Sequence, residues 1–148
     1  MFEALQFLAT FCAAIFTGAA VYISFVEHPA RMLLETRAAA SQWAPSYKRA
    51  TVMQAPLAVI SALSGFAVAM LGGGPRWLLA AVLIGAVVPF TLVVIARTNR
   101  QLLASDRDLA SAETRSLLDR WGRLHAVRSV LSLLATLLML WLVVTPAD

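Results

Sequence analysis

Four long stretches of this 148-residue chain contain no charged side chain. They are Ala4–Val26, Ala50–Pro75, Trp77–Ala96 and Ser129–Ala147. An α-helix of about 20 residues spans the roughly 30 Å hydrocarbon core of a bilayer. Only helices and closed barrels satisfy every backbone group in lipid, and these stretches lack the alternation of barrel strands. The sequence therefore predicts an all-α integral membrane protein, a four-helix bundle.

We place the four spans at about residues 4–27, 52–72, 77–97 and 124–144, within a single transmembrane domain covering residues 1–148. The composition agrees, because 60% of the residues are hydrophobic and 14% are charged. Soluble domains have about 25% charged residues. No positive residue precedes the first stretch, which argues against a cleaved secretory signal.

Positive charge is concentrated between the first and second spans and between the third and fourth. The residues are Arg31, Arg37, Lys48 and Arg49 in the first loop, and Arg97, Arg100, Arg107, Arg115, Arg120 and Arg123 in the second. Because positive loops stay in the cytoplasm, we expect both termini outside and a multi-pass protein of the cytoplasmic (inner) membrane. The formal charge of +4 then indicates contact with anionic headgroups of the lipid bilayer and no nucleic-acid partner.

Several local patterns predict how the spans begin, bend and end. Gly72–Pro75 predicts a tight outer turn, and Pro89 predicts a kink because it frees the carbonyl of Gly85. The mixed apolar and charged segment Arg31–Ala44 is typical of a short interfacial helix on the cytoplasmic side. A second short helix, Leu109–Arg120, is predicted ahead of the fourth span, with Ser105 as its N-cap.

Aromatic and small polar residues have simple structural interpretations. The four tryptophans fall near span ends, as in an interfacial belt: Trp43, Trp77, Trp121 and Trp141. Small and hydroxyl residues form helical stripes, which favour close helix packing, among them Thr17 and Ser24 in the first span and Ser129 and Thr136 in the fourth. Such faces fit packing within one chain or between copies in a homo-oligomer.

The rare ionisable and amide side chains fall at one depth, the cytoplasmic edge of the bundle. The set is Glu27, His28, Tyr47, Lys48, Gln54, Asn99, His125 and Arg128. Ionisable groups are costly within a membrane and are therefore functional candidates. His28 and His125 are the two histidines of the chain.

Three kinds of chemistry fit this set. Glu27, His28 and His125 could hold a redox metal such as iron or copper, or the two histidines could ligate a haem. Alternatively, a histidine acts as general base while Arg128 stabilises the resulting anion. In the third, structural interpretation, Glu27 and Arg128 form an ion pair that fixes the bundle.

Four segments in matching order resemble the anthrone oxygenase-like family of small four-helix membrane proteins. They are Glu27–Arg31 (EHPAR), Tyr47–Pro56 (YKRATVMQAP), Pro89–Thr91 with Thr98–Arg100, and Trp121–Arg128 (WGRLHAVR). The resemblance implies an oxygenase that converts an anthrone-like, hydrophobic aromatic substrate to a quinone with dioxygen. It places His28, Asn99, His125 and Arg128 at the catalytic site, with the substrate-binding residues Glu27, Arg31, Tyr47 and Gln54 nearby.

In the mechanism that the resemblance implies, a histidine deprotonates the activated carbon, and Arg128 and Asn99 stabilise the oxyanion. The cofactor stays open between none, a redox metal and haem. The alternatives to an enzyme are a non-catalytic membrane subunit that binds haem, metal, lipid or quinone, and a structural membrane protein.

Overall fold

The computed structural model describes residues 1–145, most of which are helical, with no strand among them. Three helices of this part of the chain are long and apolar enough to cross a membrane: Phe2–Arg31, Thr36–Leu102 and Ala112–Val144. The predicted all-α class is confirmed, and the apolar helices are those of a membrane protein. The number of passes, their boundaries and the loop orientation stay predictions.

The first two of these long helical stretches are built from shorter segments. The first comprises α1 (Phe2–Tyr22), a π-helical turn (Ile23–Glu27) and α2 (His28–Arg31). The second comprises α3 (Thr36–Val68), a non-helical turn (Ala69–Gly73), α4 (Gly74–Gly85), α5 (Val87–Phe90), a second π-helical turn (Thr91–Ile95) and α6 (Ala96–Leu102). The last is α7 (Ala112–Val144), and the break after α4 agrees with the kink predicted from Pro89.

The chain reverses direction between α3 and α4. Gly72 and Gly74 have φ angles of 107° and 77°, which residues with a side chain rarely adopt. The two helices are antiparallel, since a Cβ added at Gly65 would lie 3.2 Å from the Cβ of Ala81, and one added at Gly85 would lie 3.4 Å from the Cβ of Ala62. The predicted glycine turn is therefore present.

The bundle core forms where α1 and α4 each pack against both α3 and α7. Small residues allow this close approach, and hydroxyls bond across it. The side-chain hydroxyls of Thr17 and Thr136 are 2.8 Å apart, and Ser61 donates to the carbonyl of Ala9 at 2.8 Å. The packing role predicted for the hydroxyl stripe is thus seen at Thr17 and Thr136.

The predicted tryptophan belt is wrong for three of its four members. Trp43, Trp77 and Trp121 are only 1%, 2% and 4% exposed, whereas Trp141 is 60% exposed. Trp43 and Trp121 meet edge to face, with ring centroids 5.7 Å apart, inside a second apolar cluster at the loop-rich end. Their burial reflects aromatic packing within the protein.

The predicted interfacial helix Arg31–Ala44 is not a separate element. α2 ends at Arg31, and α3 begins at Thr36 and continues to Val68. The first turns of α3 bury Ala39, Ala40 and Trp43 against the rest of the bundle, so packing extends the helix beyond its apolar stretch.

The region Leu109–Arg120 also differs from its prediction as a short separate helix. It runs into α7, which begins at Ala112. The N-cap is Ser111 and not Ser105, because the Ser111 side chain accepts a hydrogen bond from the Thr114 N–H at 3.2 Å.

Candidate functional site

A buried network holds Glu27 and Arg31 together beside the start of α3. Arg31, 3% exposed, donates to Glu27 and to the side-chain oxygen of Gln42. The same Glu27 oxygen accepts from Ser46 at 2.6 Å and from Gln42 at 3.3 Å. Glu27 therefore pairs with Arg31, and the Glu27–Arg128 ion pair of the structural interpretation is wrong.

His28 packs between the Trp121 ring and the backbone at Gly122, next to this network. Its ring lies 5.4 Å from the Trp121 ring, and its Nδ1 lies 3.5 Å from a guanidinium nitrogen of Arg31. Gly122 makes room for the imidazole, since a Cβ there would lie 2.5 Å from Cδ2 of His28 and nearer still to Nε2. The packing favours a positioning role for His28.

His125 belongs to a chain of hydroxyl groups between α7 and the end of α1. Its Nδ1 lies 3.1 Å from Oγ of Ser24, which lies 2.8 Å from Oγ of Ser129. Ser129 reaches the carbonyl of Ala20 at 3.0 Å. If Ser129 donates to that carbonyl, Ser24 donates to Ser129 and accepts from Nδ1–H, which leaves the Nε2 lone pair of His125 free as a base.

Arg128, which is part-buried, and Gln54, which is buried, form a pair with unused donors. Nη2 of Arg128 donates to Oε1 of Gln54 at 3.0 Å, and the guanidinium lies 5.5 Å from the ring centroid of Phe16. Nε of Arg128 and Nε2 of Gln54 are buried with no hydrogen-bond partner among the described residues. Buried donors of this kind need an acceptor from outside the chain, either a water or a ligand oxygen.

Tyr47 adds a third donor. Its hydroxyl accepts from Nδ2 of Asn99 at 3.0 Å, so its own hydrogen is available to a ligand. The ring stacks on Trp43 with centroids 5.0 Å apart and planes 7° apart, which fixes its orientation. Asn99 therefore acts on the site through Tyr47.

Two spaces share these side chains in their linings. An inner cavity of about 10 Å³, room for about one water, is lined by His125, Arg31, Trp43 and Trp121 among others. A groove of about 120 Å³ opens on the apolar outer surface between α3 and α5. Both are also lined by Tyr47, Thr51, Gln54 and Arg128, whereas His28, Glu27 and Asn99 line neither.

The proposed metal ligands are not gathered as a metal-binding group. Within residues 1–145, no three His, Cys, Asp or Glu side chains lie together closely enough to hold an ion. Glu27 is engaged by Arg31, and the Trp121 ring contacts both His28 and His125, at centroid distances of 5.4 and 4.8 Å. The metal and haem assignments stay predictions without geometric support.

The structure brings the eight predicted catalytic and substrate-binding residues to one end of the bundle, but only some of them line a cavity. Tyr47, Gln54, His125, Arg128 and Arg31 line the inner cavity. Sequence reasoning missed Trp43, Trp121 and Gly122 as neighbours of the site, and it treated Ser24 as a packing residue. Sequence spacing could have indicated two of these neighbours. Ser24 is one helical turn before His28, and Trp121 is one helical turn before His125.

Fold and site together define a small helical membrane protein with a buried, donor-rich site beside a groove on its apolar surface. The family model described as anthrone oxygenase matches residues 43–138. The chain is also 33% identical over 145 residues to anthrone oxygenase tpcL of Aspergillus fumigatus, covering 90% of this chain and 89% of the relative. The chain therefore belongs to the anthrone oxygenase family, as its sequence segments predicted. No solved structure matches it.

Proposed function

We propose that this protein is a membrane-embedded oxygenase that oxidises a hydrophobic, anthrone-like aromatic compound with dioxygen at the polar end of the bundle. We place that end, with its two basic loops, at the cytoplasmic face of the inner membrane. The observation that carries the proposal is that Tyr47, Gln54 and Arg128, each with a donor available, line both the groove and the one-water inner cavity that His125 borders.

His125 is the general base in this mechanism. An anthrone has an acidic C–H because its carbonyl and rings delocalise the resulting negative charge. The hydroxyl chain through Ser24 and Ser129 orients the imidazole and favours a lone pair on Nε2. A positioned base of this kind contributes roughly 10²- to 10⁴-fold to the rate.

The three donors stabilise the oxyanion that forms when the proton leaves. The hydroxyl of Tyr47, Nε2 of Gln54 and Nε of Arg128 each have a hydrogen available. In a site away from bulk water, each such donor contributes roughly 10²- to 10³-fold to the rate. The family resemblance assigned stabilisation of the oxyanion to Arg128 and Asn99. In this proposal Gln54 and Tyr47 share that role with Arg128.

The deprotonated carbon then gives electrons to dioxygen, and a C–O bond forms as a hydroperoxide that takes back the proton. Loss of water from the hydroperoxide breaks the O–O bond and leaves a carbonyl. One anthrone and one dioxygen thus yield one anthraquinone and one water, which balances atoms and electrons. This sequence of steps uses only the groups named above.

His28, Asn99, Glu27 and Arg31 have positioning roles in this scheme. Asn99 orients the Tyr47 hydroxyl at 3.0 Å, and His28 packs on Trp121, whose ring lies 4.8 Å from that of His125. The network of Glu27 and Arg31 fixes the wall of the inner cavity that Arg31 lines. Their substitution is expected to reduce the rate by misplacing the groups that contact substrate.

The test is anthrone oxidation by purified protein in lipid nanodiscs, followed as quinone absorbance and corrected with empty nanodiscs. We expect His125→Gln and Arg128→Gln each to lower kcat about 100-fold or more, because each removes a group that acts in the transition state. Arg123→Gln is the matched control, since Arg123 is an exposed arginine on the same helix. It should retain the wild-type rate.

Retention of the wild-type rate by folded His125→Gln and Arg128→Gln proteins would overturn this assignment. Tight binding of anthrone with no oxidation above the empty nanodiscs would instead make the protein a binding subunit.

A further inference from the structure

The groove between α3 and α5 is apolar along most of its wall and polar at its inner end. Ala55, Ala58, Val87 and Leu92 contribute to the apolar wall. Leu92 is 68% exposed, so the mouth of the groove lies on the apolar surface of the bundle. The inner end is formed by buried Gln54 and part-buried Arg128, and Tyr47 and the exposed Thr51 complete the polar lining.

The polar end of the groove is complementary to a negative oxygen. Gln54 is 2% exposed, and its Nε2 has no partner among the described residues. Nε of Arg128 is likewise unpartnered, and neither ion pair found in the described chain includes Arg128. A part-buried cation whose Nε is fully buried and that lacks a carboxylate partner favours an anionic or strongly polar ligand.

Arg128 lies deep along its helix. It is 16 residues from each end of α7, about 24 Å at 1.5 Å per residue. If the apolar end of α7 marks one face of a hydrocarbon core roughly 30 Å thick, Arg128 lies about 6 Å inside the other face. This depth favours a ligand from the hydrocarbon region over a lipid headgroup.

We propose that this groove is a lateral binding site, open to the bilayer, for a planar aromatic ligand that places a phenolate or carbonyl oxygen on Arg128 and Gln54. The inference rests on the proposed function and specifies where its substrate binds and by which route it enters. The groove volume of about 120 Å³ is smaller than the roughly 300–1,000 Å³ of pockets that enclose a drug-sized ligand. Part of the ring system therefore stays in contact with lipid tails.

The experiment measures the Kd of 1,8-dihydroxyanthraquinone by calorimetry with protein in nanodiscs, corrected with empty nanodiscs. Ala55→Phe fills the groove and should weaken binding at least 10-fold. Val59→Phe is the control of equal size, because Val59 is an exposed residue one turn further along α3 that does not line the groove. It should change Kd less than 2-fold.

A second pair of variants distinguishes a blocked groove from a misfolded protein. Leu92→Trp narrows the mouth, whereas Val93→Trp alters a neighbouring residue that is 76% exposed and outside the groove. Both changes face the apolar surface, so neither disturbs the core. Only Leu92→Trp should weaken binding.

The polar contact is tested with anthracene, which has the same ring system without oxygen. We expect at least 10-fold weaker binding of anthracene, and no effect of Arg128→Gln on that binding. Equal binding of both compounds, or equal Kd values for Ala55→Phe and Val59→Phe, would overturn the proposal. So would displacement of the quinone by an anionic phospholipid alone.

The two proposals fail in different ways. Groove variants that weaken binding in a protein that never oxidises anthrone would leave the ligand site standing and remove the oxygenase. Conversely, His125-dependent oxidation with an unchanged KM in Ala55→Phe and Leu92→Trp would leave the oxygenase standing and remove the groove.

Discussion

At the scale of single residues, position along the chain predicted which side chains meet but not what each one does. Tyr47, Gln54, His125 and Arg128 converge on one cavity, as their common depth in the sequence indicated. Their partners depend on side-chain directions within the bundle, which spacing does not specify. Glu27 illustrates this, because its partner is Arg31 and not Arg128.

Gly122 is the residue whose substitution best tests the packing of His28. The imidazole occupies the space of a side chain at position 122 and is held by Trp121 and Arg31. We expect Gly122→Ala to lower the free energy of unfolding by up to about 2 kcal/mol, because the overpacking cost of about 1–3 kcal/mol is offset by a gain in helix propensity of about 1 kcal/mol.

The measurement is thermal unfolding in detergent, with Gly18→Ala as the control. Gly18 is also helical, but a Cβ there meets nothing within 4 Å, so this variant should melt at or above the wild-type temperature. Equal stability of the two variants would contradict the described position of His28.

At the scale of elements, the apolar stretches predicted which segments are helical in the bundle core. They did not predict where the helices end, because some helices continue into charged sequence. α3 and α7 begin well outside the apolar stretches because Trp43, Leu118 and Trp121 pack together at the loop-rich end. The π-helical turns were also not predictable, since they leave no sequence signal of their own. One of them, Ile23–Glu27, directly precedes His28.

The network of Glu27 and Arg31 fastens the end of the first helix to α3. Glu27→Gln leaves the buried Arg31 guanidinium without a carboxylate, and we expect a loss of about 3–5 kcal/mol in the free energy of unfolding. Glu113→Gln is the control, because Glu113 is 69% exposed and its ion pair with Arg107, at 3.0 Å, contributes about 1 kcal/mol or less.

Denaturant unfolding in mixed micelles measures both losses. The double variant Glu27→Gln, Arg31→Gln should recover part of the lost stability, because it removes the unpaired charge. If Glu27→Gln and Glu113→Gln have the same stability, the network does not hold these elements together.

At the scale of the whole molecule, the sequence predicted the all-α membrane class and the family, because charge-free stretches and ordered motifs are properties of the chain itself. It did not predict the groove, which arises only when α3, α5 and α7 pack together. The donor set at its inner end is likewise a product of packing. The proposed chemistry therefore depends on the assembled bundle and on no single motif.

The central claim is that this bundle oxidises an anthrone with dioxygen at the site lined by His125 and Arg128. The most direct measurement is the initial rate and isotope content of the quinone formed from anthrone under ¹⁸O₂ in ordinary water. We predict a rate well above that of empty nanodiscs, with one ¹⁸O atom in each quinone, and a return to the background rate in His125→Gln. A wild-type rate equal to background, or a quinone oxygen derived from water, would contradict the claim.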